Sequence, residues 1–387
     1  MKTKFAALVA AGVLISVGPA KAEDIKVGLL LPYSSVYASL GKDIEAGFRL
    51  ALEHHGGDLG GNSVSIVKED TEVKPPVGLA KAKKLVLQDK VDLMVGVVSS
   101  GVLGAIRDFV HGSKTPLIVA NAGNNHMTGA KCSPYLIRVS FSNGQINRPM
   151  GPWLAKEGIK KVYVMAPDYA AGHQMIEAFR SGFEKAGGQV VGETFTPFRK
   201  TKDFAPYLTA AKATNPDAIY VFYAGGEAIG FVKQYASFGL KSSIPLYGAG
   251  FLTSPLYVHV QGEAADGVTV ALHYVPTIDT PENKRFQADF MKQQGRIGSE
   301  FAVQGYDAGR MVVEAIKASG GDKAKFKDAL SKVSFTGPRG PLKIDPATNN
   351  VVQNIYIYEN KMQDGKIVQM IKGVSENVQD AVNGCSM

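Results

Sequence analysis

The chain has 387 residues, an ordinary apolar content of 45% and a formal net charge of +8. That length exceeds what a single hydrophobic core organises, so two lobes are expected. The basic residues are scattered, with no lysine or arginine stripe interleaved with aromatics, which argues against nucleic acid as a partner.

Lys2 and Lys4 precede an apolar run over 5–17, and Ala20-Lys21-Ala22 supplies small residues for a signal peptidase. The run is too short and wrongly flanked for a membrane span, so residues 1–22 read as a secretory signal. No cysteine lies near the cleavage point, which argues against a lipid anchor. Removing Lys2, Lys4 and Lys21 lowers the charge from +8 to +5 on a mature chain beginning at Glu23. Outside the cytoplasm, such a chain works without cytosolic ATP or NADH.

From there strands and helices alternate. Residues 25–31 form a continuous apolar run, as in a strand buried on both faces. Ile44, Phe48 and Leu52 mark a helix over 42–55, stopped by Gly56-Gly57. Strands follow over 64–67, 91–98 and 117–120, with helices after Pro75-Pro76 and over 102–111. The rhythm restarts with strands over 162–166, 190–195, 218–223 and 246–247, separated by helices over 174–186, 204–213 and 228–238. This order predicts an α/β fold of two doubly wound, Rossmann-like lobes.

The last third reads as helices over 281–294, 301–318 and 325–331, then two strands flanking the hairpin signal Gln363-Asp364-Gly365. These cannot build a separate core, so the chain is expected to re-cross. Lobe 1 would hold 23–141 with 275–337, and lobe 2 would hold 142–274 with 338–372. The tail 373–387 would tie back to lobe 1. Three crossings, near Phe141, Leu272 and Thr336, would make a hinge.

The chain has two cysteines, Cys132 and Cys385. In an oxidising compartment they read as one disulfide, against the alternative of two free thiols. With no clustered histidines they cannot make a structural zinc site, and no metal or cofactor is implied.

No enzyme constellation appears: there is no G-x-S-x-G, P-loop, H-E-x-x-H, or G-x-G-x-x-G after a strand. The local element of most interest is Gly96-Val97-Val98-Ser99-Ser100-Gly101, which leaves a buried strand and opens a helix. Ligands of open α/β sheets sit beyond the carboxyl ends of strands, where a helix N-terminus offers free N–H groups. Ser99 or Ser100 adds a hydroxyl, a chemistry suited to a carboxylate, and plain N-capping by serine is the competing reading. Asn121-Ala122-Gly123 ends the next strand with small residues that expose backbone N–H groups, and turn chemistry competes there.

Several segments together resemble periplasmic binding proteins of the branched-chain amino acid type. They are Ile25-Lys26-Val27-Gly28-Leu29-Leu30, Gly41, Ala46-Gly47 and Gly57; Asp70 with Ala80, Lys84 and Leu85; and Val95 to Ser100. Arg138, Phe141 and Gln145, and then Gly305-Tyr306-Asp307-Ala308, complete the set. The resemblance covers nearly all of the mature chain. It implies a monomeric two-lobed receptor of the periplasm that closes on a small-molecule ligand and delivers it to an ABC permease.

By that resemblance the carboxylate is gripped at Ser100 and the Ala122-Gly123 backbone. The family's acidic partner for an ammonium has no counterpart in Tyr247-Gly248-Ala249-Gly250-Phe251, although Glu227 or Asp168 could substitute. A buried ammonium without a partner is costly. Tyr37, Tyr169, Tyr223 and Phe251 would wall the cleft with aromatic rings. Cys132-Ser133-Pro134-Tyr135 with Cys385 also resembles a subgroup that imports lignin-type aromatic acids. A benzoate- or cinnamate-like acid is therefore expected. A branched-chain amino acid, urea or short amide is the alternative ligand, and a sensor subunit or an exported hydrolase the alternative role.

Overall fold

The computed structural model describes residues 22–387. The expected signal falls almost wholly outside the described residues.

Fourteen strands form one curled sheet among the described residues. β1 (Asp24–Leu31), β2 (Ser63–Asp70), β3 (Leu93–Gly96), β4 (Leu117–Val119) and β5 (Leu136–Arg138) pair in parallel in the order 2-1-3-4-5. β6 (Lys161–Pro167), β7 (Gln189–Thr196), β8 (Ala218–Val221), β9 (Leu246–Ala249) and β10 (Thr269–Leu272) follow. They repeat the same order, with β6 in the place of β1 and every pair parallel. The apolar run of β1 is explained by burial on both faces. Leu29 and Leu31 join one hydrophobic cluster, and Leu30 joins another on the opposite side.

The helices are α1 (Ala38–His55), α2 (Pro75–Lys83), α3 (Ser100–Ser113), α4 (Asn143–Asn147), α5 (Met150–Lys156) and α6 (Ala170–Lys185). α7 (Ala205–Ala213), α8 (Gly225–Ser237), α9 (Val258–Gln261), α10 (Pro281–Gln294), α11 (Glu300–Ser319) and α12 (Phe326–Leu330) complete them. The helices of the last third return to the first unit. α11 lies along α1 so closely that a Cβ on Gly47 would stand 1.8 Å from the Ala302 carbonyl oxygen. One on Gly305 would stand 1.9 Å from that of Ile44, so both positions require glycine.

The remaining strands are β11 (Ser334–Gly337), β12 (Gly340–Asp345), β13 (Asn350–Gln363) and β14 (Lys366–Val378). Asp364 and Gly365 form the two-residue turn between β13 and β14, both with positive φ (47° and 75°), as a type I′ hairpin requires. β13 belongs to both units. Its start pairs with β5 and β12, and Tyr356–Glu359 pairs with β10.

We propose the lobe division given above with two amendments dictated by this pairing. Gly340–Asp345 pairs with β11 and with the start of β13, so the third crossing runs inside β13 and not near Thr336. β14 continues to Val378, so a tail begins after that residue and not at 373. The tail is held by a Cys132–Cys385 disulfide. Asp380 adds to it, accepting from Asn350 Nδ2 at 3.2 Å and lying 3.8 Å from the buried Arg138 guanidinium.

Candidate functional site

The strand order reverses between β1 and β3 in the first unit, and between β6 and β8 in the second. Segments leaving the carboxyl ends of these strands converge on a tight cleft. Tyr37 and Leu40 follow β1, Val98 and Ser100 follow β3, Asn121 and Gly123 follow β4, and Phe141 and Asn143 follow β5. The second unit contributes Tyr169, Ala171 and Met175 after β6, Phe222 and Ala224 after β8, and Phe251 after β9. Phe301 enters from α11.

The cleft therefore gathers Tyr37, Ser100, Asn121, Gly123, Tyr169 and Phe251 from the residues singled out by sequence. Tyr223 is elsewhere. It stacks on Phe231 at 4.8 Å, and its hydroxyl lies 3.2 Å from Thr196 Oγ1 in the second unit's core. Adjacent residues of an extended chain face opposite ways, so with Tyr223 inward it is Phe222 that faces the cleft. The same alternation places Asn121 and Gly123 in the lining and turns Ala122 into the apolar cluster beneath α3. The Ala122 N–H is also spent on the Val97 carbonyl (2.8 Å), so it cannot serve a carboxylate. Gly250 packs under the site, where a Cβ would meet Leu272 at 2.5 Å and the Tyr358 hydroxyl at 2.6 Å. Ser99 is the N-cap residue of α3, outside the lining, and its side chain makes no capping bond.

That last fact decides the chemistry of the helix start. The first N–H groups of α3 thus receive no side-chain cap, and of this first turn Ser100 lines the cleft. Ser100 Oγ accepts from Asn143 Nδ2 at 3.2 Å, leaving its own proton for another acceptor. A helix N-terminus with a hydroxyl donor is suited to an anion.

The opposite wall is aromatic. The Tyr37 and Tyr169 hydroxyls, one from each unit, meet at 3.2 Å across the cleft. Tyr169 stacks on Phe198 at 4.0 Å, and Phe251 lies 5.2 Å from Phe141 and 5.6 Å from Phe301. Phe141 in turn stacks on His273 (5.5 Å), which burial keeps neutral by pushing its pKa well down.

Among the described residues, no carboxylate lines the cleft. Asp168 is turned outward and paired with His173 at 2.8 Å. Glu227 lies behind the wall, where burial pushes its pKa up to about 7 and its Oε1 accepts from the Arg199 N–H. Neither lines the cleft, although Glu227 Oε2 is buried without a partner among the described residues and, after burial, its charge helps raise the Tyr37 and Tyr169 pKa values. Arg138 is also absent from the cleft. It bonds the Asn124 carbonyl at 2.9 Å and Asn350 Oδ1 at 2.8 Å, and so fixes the loop after β4.

The chain matches the family described as periplasmic binding protein over residues 24–366. The chain belongs to that family. It is 33% identical over 359 residues to the Leu/Ile/Val-binding protein homolog 6 of Brucella melitensis, covering 91% of each chain. Among solved structures it superposes on an R. palustris ABC-transporter solute-binding protein in complex with benzoate. The TM-score is 0.88, the identity 40%, and the match covers 94% of this chain and 100% of that one. A second, from Rhodopseudomonas palustris BisB5 in complex with 3,4-dihydroxybenzoic acid, gives 0.88 and 34%, covering 92% and 98%. This periplasmic binding protein is thus an ABC-type solute-binding protein and not an enzyme.

One buried acid near this region gives a pH prediction. Glu300 opens α11, with Ser254 Oγ donating to its Oε2 at 2.8 Å and its Oε1 unpartnered. Burial pushes its pKa from 4.5 up to about 8. A raised carboxylate pKa favours the neutral folded form. Its stabilisation is full below about pH 4.5 and is lost as pH rises through about 8. Glu300→Gln removes that titration, so its melting temperature should gain on wild type by roughly several degrees between acid and alkaline pH. Parallel melting curves at both ends would contradict the assignment.

Proposed function

We propose that this protein captures an aromatic carboxylate of the benzoate type by lobe closure and delivers it to an ABC importer in the inner membrane. The observation that carries the reading is the composition of the cleft: an uncapped helix start with Ser100 at one side, aromatic rings around it, and no carboxylate in the lining. A carboxylate ligand finds donors there, whereas an α-ammonium would find no charged partner among the described lining residues. Two of the similar solved structures hold benzoate-type acids, which supports the same class. Branched-chain amino acids are the second reading, favoured by the names of curated relatives at 33% identity.

Thermal-shift and calorimetric titration with benzoate, 4-hydroxybenzoate, cinnamate, leucine, valine and urea tests the choice. At about 100 times its dissociation constant, a true ligand adds roughly 2.7 kcal/mol of stability. Stabilisation by the aromatic acids alone is expected, and stabilisation by leucine or valine would sink the aromatic reading. Ser100→Ala should weaken the bound acid roughly 10–100-fold, the worth of a hydrogen bond to a charged group. Unchanged affinity would remove Ser100 from the site.

A further inference from the structure

The hydrogen-bond network behind Ser100 leads to a residue that does not line the cleft. Gln174 stands on α6 in the second unit and reaches the loop after β4 in the first. Its Oε1 accepts from the Asn125 backbone N–H (2.8 Å) and from Asn143 Nδ2 (2.9 Å). Its Nε2 donates to Asn124 Oδ1 at 3.1 Å.

Backbone groups fix the orientation of these amides. The Asn125 N–H can only donate, so Gln174 must present its oxygen there. Asn124 Oδ1 accepts from the His126 N–H (3.1 Å), and its Nδ2 donates to the Ser100 carbonyl (3.0 Å). With both amides fixed, Asn143 must turn its nitrogen to Gln174, and the same nitrogen then reaches Ser100 Oγ. Asn143 Oδ1 is buried and without a partner among the described residues. Nothing on the oxygen side selects this orientation, so Gln174 does.

We propose that Gln174 is a positioning residue that keeps the Ser100 hydroxyl a donor toward the ligand's carboxylate. This rests on the carboxylate reading of the cleft. Without the Gln174 amide, the Asn143 side chain is free to flip and offer its oxygen to Ser100. Ser100 would then donate to Asn143 and turn lone pairs to the ligand, which a carboxylate cannot use. A neutral amide ligand carries N–H groups that can use them. Because Gln174 and Asn143 fall in lobe 2 by the division proposed above and Ser100 in lobe 1, the donor is set only when the two lobes meet.

The test compares benzoate with benzamide, and leucine with leucinamide, by calorimetry. Wild type, Gln174→Leu, Ser100→Ala and the double variant are titrated. Gln174→Leu should weaken the acid roughly 10–100-fold and the amide far less. In the Ser100→Ala background it should add no further loss, because both changes act on one hydrogen bond. Equal losses for acid and amide, or additive losses in the double variant, would overturn the proposal. If Gln174→Leu does not fold, Gln174→Met removes the same hydrogen bonds with an unbranched side chain and gives the same reading. Wild type that binds leucine and not benzoate would end the aromatic reading and leave this proposal to be decided by leucine against leucinamide. Wild type that binds neither acid would overturn both.

Discussion

Replacing Asp307 with alanine should lower stability by about 3–5 kcal/mol, the largest effect expected of a single side chain here. The melting temperature should fall on the order of 10 °C. Asp307 lies on α11, fully buried, and accepts from Arg339 Nε at 2.6 Å. Arg339 is itself 1% exposed and donates to the Ser140 carbonyl at 3.0 Å, to the Val139 carbonyl and to Gln353 Oε1. Burial pushes the Asp307 pKa up and the Arg339 pKa down, against their mutual attraction. The pair therefore gives little net stability by its presence, yet removing one member strands a charge in the interior. The guanidinium would keep its carbonyl acceptors and lose its counter-charge. Asp307→Asn separates these effects, since it retains an acceptor and removes only the charge. A loss under about 1 kcal/mol by urea denaturation for both variants would show that the charge is solvated and would contradict this account.

Reduction of the Cys132–Cys385 disulfide should act on the unfolded state. The two residues are 253 apart in sequence, so the cross-link closes a very long loop. The chain-entropy relation gives about 5 kcal/mol as a ceiling. Melting with and without reductant, and of the Cys132→Ser/Cys385→Ser variant, should give matching losses approaching that figure. Should reduction leave the melting temperature unchanged, the unfolded chain would already hold these ends close, and the loop argument would fail.

Much of the fold was legible because buried parallel strands write themselves as apolar runs. Ile25 to Leu31 and Val162 to Ala166 needed only that rule, and Asp364-Gly365 needed only turn chemistry. What escaped was short or lacked a period. β5 has three residues, and its Arg138 looks polar until the buried network around it is seen. β11 and β12 alternate in burial but are short and carry a proline and glycines. Within the candidate site, the sequence pattern points to strand ends and not to the face they present. Phe222 lines the cleft and its neighbour Tyr223 does not, because periodicity does not say which face of a strand end looks into a cleft. Asn143 and Gln174 carry no local signal, since amides acquire their meaning only from partners distant in sequence.

The strand shared by both units constrains how this protein can change. Side chains along β13 alternate in direction with a period of two, and one continuous strand serves both units of the sheet. One residue inserted between Val352 and Tyr356 would invert every following side chain relative to β10 while leaving the β12 pairing intact. Gln353 sits in that interval and is clamped to the Ser140 carbonyl (2.7 Å) and Gln145 Oε1 (2.8 Å). Length variation among descendants of this chain should therefore accumulate in surface loops and spare the stretch from Val352 to Tyr356, which sets the phase of one half of the molecule against the other.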